Sequence, residues 1–216
     1  MFAWFYEDMP GIDPKIAQHH IDTHDHMVPI KQKLRRIRTE WLLKIKEEVT
    51  MQLKVGLIKP LHQAQWITNV VPIPKKDGKV RMCVDFRDLN KACPKDDFPL
   101  PHIDVLVDNT AGSALMSFMD GFSGYNQIKM APKDMTKTTF TTKWGIYSYT
   151  VIPFGLRNAK ATYQRMAIAL LHDMMHNEVE VYVDDMIVKS KDRESHTINL
   201  RKFLERIKEC RLRLNP

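Results

Sequence analysis

The sequence predicts an α+β fold, and three observations carry the prediction. Apolar residues recur at helical spacing in three separate stretches, and short β-branched runs flank two acidic turns, Asp77-Gly78 and Asp184-Asp185. A hydrophobic fraction of 44% against 27% charged residues supplies a core for one sizeable domain or two small lobes within 216 residues.

Residues 1–38 contain Pro10, Gly11, Pro14 and Pro29, which interrupt any period, and end in the basic run Lys31-Gln32-Lys33-Leu34-Arg35-Arg36. They read as an extended N-terminal arm or linker. From Thr39, a candidate N-cap, Leu42, Ile45, Val49 and Leu53 fall on one helical face, and Gly56 is placed to stop the helix. Trp66–Ile73 and Val80–Phe86 read as strands joined by Lys75-Lys76-Asp77-Gly78-Lys79, where Asp-Gly is a hairpin-turn signal. Pro94, Pro99 and Pro101 make Cys93–His102 an extended crossing; Ile103–Val107 then reads as a short helix and Ala114–Asp120 as a strand ending in an acid. Further strands are expected at Gln127–Met130 and Lys137–Thr142. A helix is expected over Asn158–His176, with Thr162, Tyr163, Met166, Leu170 and Met174 on one face. Glu178–Val183 alternates apolar and polar, the two aspartates turn the chain, and Met186–Val188 returns it. A last helix, Ser195–Arg213, turns Leu200, Phe203, Leu204 and Ile207 inward and an Arg/Lys-rich face outward.

A formal net charge of +7 and a pI of about 9.2 favour a polyanionic partner, since each cation that meets a phosphate releases a condensed counterion. No apolar run approaches the roughly 18 residues of a membrane helix, and Met1–Asp8 lacks the pattern of a signal peptide; an intracellular, cytoplasmic, non-secreted protein is expected. Cys83, Cys93 and Cys210 are odd in number and far apart, and read as free thiols. His19, His20, His24 and His26 match no zinc spacing, and His172 and His176 lack the intervening Glu of a zinc protease. Neither a Walker loop nor a nucleophilic triad is present.

An Asp-Asp pair in a hairpin is by itself ordinary turn chemistry. Here the pair follows a strand with Val179, Val181 and Val183 on one face, and Asp120 ends another strand. Clustered carboxylates repel one another without a cation. Two magnesium ions about 3.5–4 Å apart, one activating a hydroxyl and one neutralising pyrophosphate, are what nucleotidyl transfer requires.

Five segments share an order and spacing: Arg81-Met82-Cys83-Val84-Asp85-Phe86-Arg87-Asp88-Leu89-Asn90-Lys91, Phe98-Pro99-Leu100-Pro101, Phe118-Met119-Asp120-Gly121-Phe122-Ser123-Gly124-Tyr125-Asn126-Gln127-Ile128, Pro153-Phe154-Gly155-Leu156-Arg157-Asn158-Ala159 and Tyr182-Val183-Asp184-Asp185. They resemble the reverse transcriptase of Gypsy-type (Metaviridae) LTR retrotransposon Pol polyproteins, most closely the plant ones. Asp8-Met9-Pro10-Gly11-Ile12-Asp13 resembles the stretch that precedes the polymerase there.

The resemblance implies the fingers and palm of a right-hand polymerase, with an antiparallel palm sheet, helices packed on one face and no thumb. Fingers would span 39–93 and 128–158 and palm 94–127 and 159–216, with primer grip, thumb, connection and ribonuclease H missing. The implied activity is RNA-directed and DNA-directed DNA synthesis, joining dNTPs to a primer 3′-hydroxyl. Asp120, Asp184 and Asp185, with the backbone of Gly121, would hold two Mg2+ ions, Mn2+ being the alternative. Lys75, Arg81, Tyr125, Phe154 and Gly155 would bind the nucleotide, Tyr125 excluding a 2′-hydroxyl; the hairpin is one residue shorter than in retroviral relatives, so Lys76 could replace Lys75. Tyr182 would lie near the primer terminus and Val183, among the primer- and template-binding residues, near the nucleotide sugar. Gln164 and Arg165 would touch template, unless they form an exposed helical face. Implied partners are an RNA or DNA template with its primer and the rest of the polyprotein, including protease and integrase, inside a cytoplasmic virus-like particle and not at a membrane.

The sequence departs from the family at Lys160, where Pro or Gly is usual, and at Gly121, where Ala or Leu is common. Truncation raises a second reading, a non-processive retrotransposon relic that folds and binds nucleic acid without catalysis. An RNA-dependent RNA polymerase would share the palm, but Tyr125 and the Tyr-Val-Asp-Asp run point away from it.

Overall fold

A computed structural model describes residues 1–74 and 80–216. Its elements are β1 (Gln18–His19), α1 (Thr39–Lys54), β2 (Ile58–Leu61), β3 (Thr68–Pro74), β4 (Val80–Val84), α2 (Arg87–Ala92), α3 (Ile103–Thr110), β5 (Leu115–Asp120), β6 (Lys129–Met130), β7 (Phe140–Thr142), β8 (Gly145–Tyr149), α4 (Ala159–Leu171), β9 (Val179–Tyr182), β10 (Asp185–Ser190) and α5 (Arg193–Glu209). No helix among the described residues is long and apolar enough to cross a membrane. The chain divides into two compact units.

One unit holds His19–Lys95 and Lys129–Ala159. Its five-stranded sheet runs β2-β8-β7-β3-β4, antiparallel throughout except for β3 with β7. Proline explains much of this order. Pro60 is tolerated because β2 is an edge strand, and Pro72 and Pro74 lie beyond Thr68 and Asn69, the part of β3 that pairs with β7. Phe140 anchors the core, its ring 5.8 Å from Tyr147 and 5.4 Å from Tyr149. Ile45 and Val49 of α1 are buried as their spacing predicts, and Gly56, at φ +76°, stops the chain after the helix. Thr39 is the first helical residue rather than the cap. Arg38 occupies the N-cap with no side-chain bond to the helix.

The second unit holds Met1–Gln18, Asp96–Ile128 and Lys160–Pro216. Its sheet is three-stranded and antiparallel, in the order β5-β10-β9. Val179, Val181 and Val188 are fully buried, as are Phe203 and Ile207 of α5. Asp192 caps α5, its carboxylate accepting from the Ser195 amide at 2.8 Å.

Several expected boundaries move. The helix expected to reach His176 stops at Leu171, where the Leu171 carbonyl accepts from both Met174 and Met175; the apolar period runs on, but His176 at φ +66° reverses the chain. The strands expected at Gln127–Met130 and Lys137–Thr142 are present but begin later, as β6 and β7, because the 3-10 turns Gly124–Gln127 and Met135–Thr138 take up their first residues. The alternation read across β9 does not put Glu180 in water. It is 1% exposed because α3 packs against β9, and it pairs with the Lys189 ammonium at 2.9 Å and His176 at 3.1 Å.

Candidate active site

Sheet register brings the three predicted acids to one end of the second unit. Asp185 opens β10 and lies directly opposite Asp120, the last residue of β5, and also opposite Tyr182. The turn therefore consists of Val183 and Asp184, not of the two aspartates. Gly121 donates its amide to the Asp184 carbonyl at 3.0 Å, drawing the turn onto the end of β5.

The turn is strained and braced. Val183 is left-handed at φ 57°, where a β-branched residue is disfavoured by roughly 1–2 kcal/mol. Gln164 of α4 holds it there: its side-chain oxygen accepts from the Val183 amide at 2.7 Å, and its side-chain amide donates to the Val181 carbonyl at 3.1 Å. Gln164 is 1% exposed, so the expectation that it touches template is corrected; both ends of its amide are spent on the turn. Val183, 3% exposed, likewise offers little surface to a primer. Arg165 is half-exposed but engaged, with its guanidinium on both oxygens of Asp96 at 2.9–3.0 Å and over the Phe98 ring at 4.7 Å.

Two glycines and two tyrosines pack beneath the acids. A Cβ on Gly124 would lie 3.0 Å from the Asp184 Cβ and 3.4 Å from its Oδ2; one on Gly121 would lie 2.7 Å from the Tyr163 hydroxyl. Tyr163 is fully buried, and its hydroxyl has no hydrogen-bond partner among the described residues. Burial, then the charges of Asp184 and Asp120, push its ionisation far upward. Tyr125 meets Tyr163 edge to face at 5.8 Å, and burial, then Asp184, push its phenol up to about 12. Both stay protonated at neutral pH. Burial, with smaller contributions from Asp120 and Asp185, raises the Asp184 carboxyl above its ordinary range, while Lys160 pulls it back.

Among the described residues, no three His, Cys, Asp or Glu side chains close into a ready-made metal cage. The acids nonetheless fit divalent cations. Directly opposed residues of an antiparallel pair place their Cβ atoms roughly 4.5–5.5 Å apart, all the donors are hard oxygens, and magnesium takes only one or two protein carboxylates when substrate phosphates complete its shell. The Asp184 carboxyl is raised first by burial and further by the like charges of Asp120 and Asp185, and a bound cation would relieve both. The N-terminal histidines form no such site: His19 is buried, His20 faces Asp134 at 3.8 Å, and His24 and His26 stack ring on ring.

In the first unit, the Arg81 guanidinium lies 5.5 Å above the half-exposed Phe154 ring. Gly155 adopts φ +98°, and its carbonyl accepts from Asn90 of α2 at 2.7 Å. Asn90 also accepts from the Arg157 amide at 2.9 Å, so α2, which periodicity did not reveal, clasps the Phe154-Gly155 loop. Lys75 and Lys76 lie outside the described residues.

These features define the class as an α+β fold of the right-hand polymerase kind, comprising fingers and palm. Over 92% of its length the chain matches Prototype Foamy Virus protease-reverse transcriptase with a TM-score of 0.82 at 27% identity, covering 26% of that chain. Residues 73–216 match the reverse transcriptase (RNA-dependent DNA polymerase) family, and the chain belongs to it. It is 33% identical over 175 residues to the retrovirus-related Pol polyprotein from transposon opus of Drosophila melanogaster, covering 79% of this chain and 17% of that one. It is 31% identical over 169 residues to the transposon Tf2-3 polyprotein of Schizosaccharomyces pombe, covering 78% of this chain and 13% of that one. The chain is thus a reverse transcriptase domain of the retrotransposon Pol polyprotein kind, spanning a small part of the length of these relatives.

Proposed function

We propose that this domain extends a primer 3′-hydroxyl with dNTPs on an RNA or DNA template, within the Pol polyprotein of a Gypsy-type element. The observation that carries this reading is the register Asp185 opposite Asp120, with the Asp184 carbonyl bonded to Gly121, which gathers three carboxylates at the end of one sheet. Two divalent ions, when bound, activate the attacking hydroxyl and neutralise the leaving pyrophosphate. Asp120, Asp184 and Asp185 would hold them, with the Gly121 backbone beside them. The unit bearing the acids is the palm and the five-stranded unit the fingers.

Tyr125 excludes a ribose 2′-hydroxyl. Its ring is 8% exposed and fixed against Tyr163, so it acts as a rigid steric stop rather than as a hydrogen-bond donor that adapts. Arg81 contributes fixed positive charge to the triphosphate, with its guanidinium oriented by the Phe154 face. Gly155 allows the backbone close to the base. Tyr182, half-buried at the end of β9, meets the primer terminus.

Primer extension on an RNA template with dNTPs and Mg2+ tests the proposal. The chain should extend the primer, Asp184→Asn should not, and ribonucleotides should be poor substrates. Equal extension by chain and variant would remove the carboxylates from the mechanism. Ribonucleotides incorporated as readily as dNTPs would remove Tyr125.

A further inference from the structure

We propose that Asn215 is a positioning residue for Asp120, holding one carboxylate oxygen so that the rest of the carboxylate is presented to a divalent cation. The inference rests on the polymerase reading above. The Asn215 amide N–H donates to the Asp120 carbonyl at 2.8 Å, and its side-chain Nδ2 donates to Asp120 Oδ2 at 2.9 Å. One residue thus ties both the main chain and the side chain of the acid. Of the three acids, Asp120 is the one whose carboxylate is hydrogen-bonded by another side chain among the described residues.

The segment that carries Asn215 is itself anchored. Leu214 is fully buried, bridging Gly121 on one side and Phe2 on the other; its amide donates to the Met1 carbonyl and its carbonyl accepts from Ala3. One residue earlier, the Arg213 amide donates to Gln127 Oε1 at 2.7 Å, and the Arg213 carbonyl accepts from Gln127 Nε2 at 2.8 Å and from the Phe122 amide at 2.9 Å. Gln127 is 0% exposed and also donates to the Phe122 carbonyl, so the same bolt fixes the chain just after Asp120. Asn215 therefore approaches Asp120 from a fixed base.

The donor type matters. A carboxylate that binds a metal needs its orientation set by outer hydrogen bonds, and removing such a partner costs on the order of 10–100-fold in metal affinity or activity. An uncharged amide orients the acid without supplying a cation that would compete with the metal. It occupies one oxygen and leaves Oδ1 available.

The test uses the full chain with Mn2+ alone, free Mn2+ being read by electron paramagnetic resonance, alongside the Mg2+ dependence of primer extension. Asn215→Ala should weaken Mn2+ binding about tenfold or more and raise the Mg2+ needed for half-maximal extension to match, with maximal extension largely kept. Asn215→Gln, which retains the amide, should recover part of both. Asn215 is exposed, and an unchanged thermal melt for each variant would tie the effect to the acid. If Asp120→Asn abolishes binding and extension while Asn215→Ala matches wild type in both, the positioning role is refuted. If Asp120→Asn changes neither, the polymerase reading itself fails.

Discussion

Replacing Gly121 with Ala tests the packing under the acids. The added Cβ would sit 2.7 Å from the Tyr163 hydroxyl, about 0.7 Å inside the 3.4 Å at which ordinary contact begins. A hydroxyl at the end of an exposed side chain would swing away, but Tyr163 is 0% exposed and its ring is packed against Tyr125. The overlap must move α4 or the end of β5, and overpacking of this kind costs about 1–3 kcal/mol. For a chain of this size that lowers Tm by roughly 2–12 °C. Tyr163→Phe removes the clashing atom together with a buried hydroxyl that lacks a partner, so alone it should be neutral or stabilising by about 1 kcal/mol. In the Tyr163→Phe background, Gly121→Ala should then cost less than about 0.5 kcal/mol, a coupling visible in a double-mutant cycle by chemical denaturation. Equal destabilisation by Gly121→Ala in both backgrounds would refute the account.

Three other outcomes are expected. Gly124→Ala puts a methyl 3.0 Å from the Asp184 Cβ, which cannot swing away, so primer extension should fall by about tenfold or more and Tm should fall as well. Glu180→Gln, which leaves buried Lys189 without its counter-charge, should cost about 3–5 kcal/mol by denaturant melt, whereas Glu180→Met with Lys189→Leu should be near neutral. The Asp85 carboxyl is held down to about 2, first by its hydrogen bond to Arg87. Its folded value lies below the unfolded value of 3.8, so its contribution of about 1–2 kcal/mol is present above pH 4 and lost as pH falls toward 2; Asp85→Asn should flatten that part of the stability profile.

Long periodic segments were legible because burial of one face sets their spacing. α1 and α5 bury or half-bury the apolar residues their spacing marks, although α5 ends at Glu209 rather than Arg213, and the β9–β10 hairpin keeps its valines inside while its turn shifts by one residue. What escaped were elements whose reason is tertiary. β2 is four residues long with a proline at its third position, and only an edge position beside β8 makes it a strand. α2 has a single turn and a half to display any period, and it is held by the Phe154-Gly155-Leu156-Arg157 loop 65 residues later. Glu180 looked solvent-facing because alternation reports two faces but not what covers each; Lys189, nine residues on, was the clue that a buried charge had a partner.

The site was legible in its residue types but not in its supports. Asp120, Asp184 and Asp185 stand out as acids at strand ends, whereas Gln164 and Asn215 resemble ordinary surface amides, and only the packing of α4 brings Gln164 to the turn and only the anchoring of the C-terminal segment brings Asn215 to Asp120. Lys160 and Gly121 each have a structural setting beside the acids. Lys160 stands at the second residue of α4, where a cation opposes the helix dipole, yet its charge helps keep Asp184 ionised against burial and against its two acidic neighbours. Gly121 and Tyr163 form a matched pair, since the hydroxyl occupies the room an alanine methyl would need. An alanine there, with Tyr163 kept, is accommodated only by a shift of α4 or of the end of β5, which is the overpacking cost of about 1–3 kcal/mol that the double-mutant cycle reads.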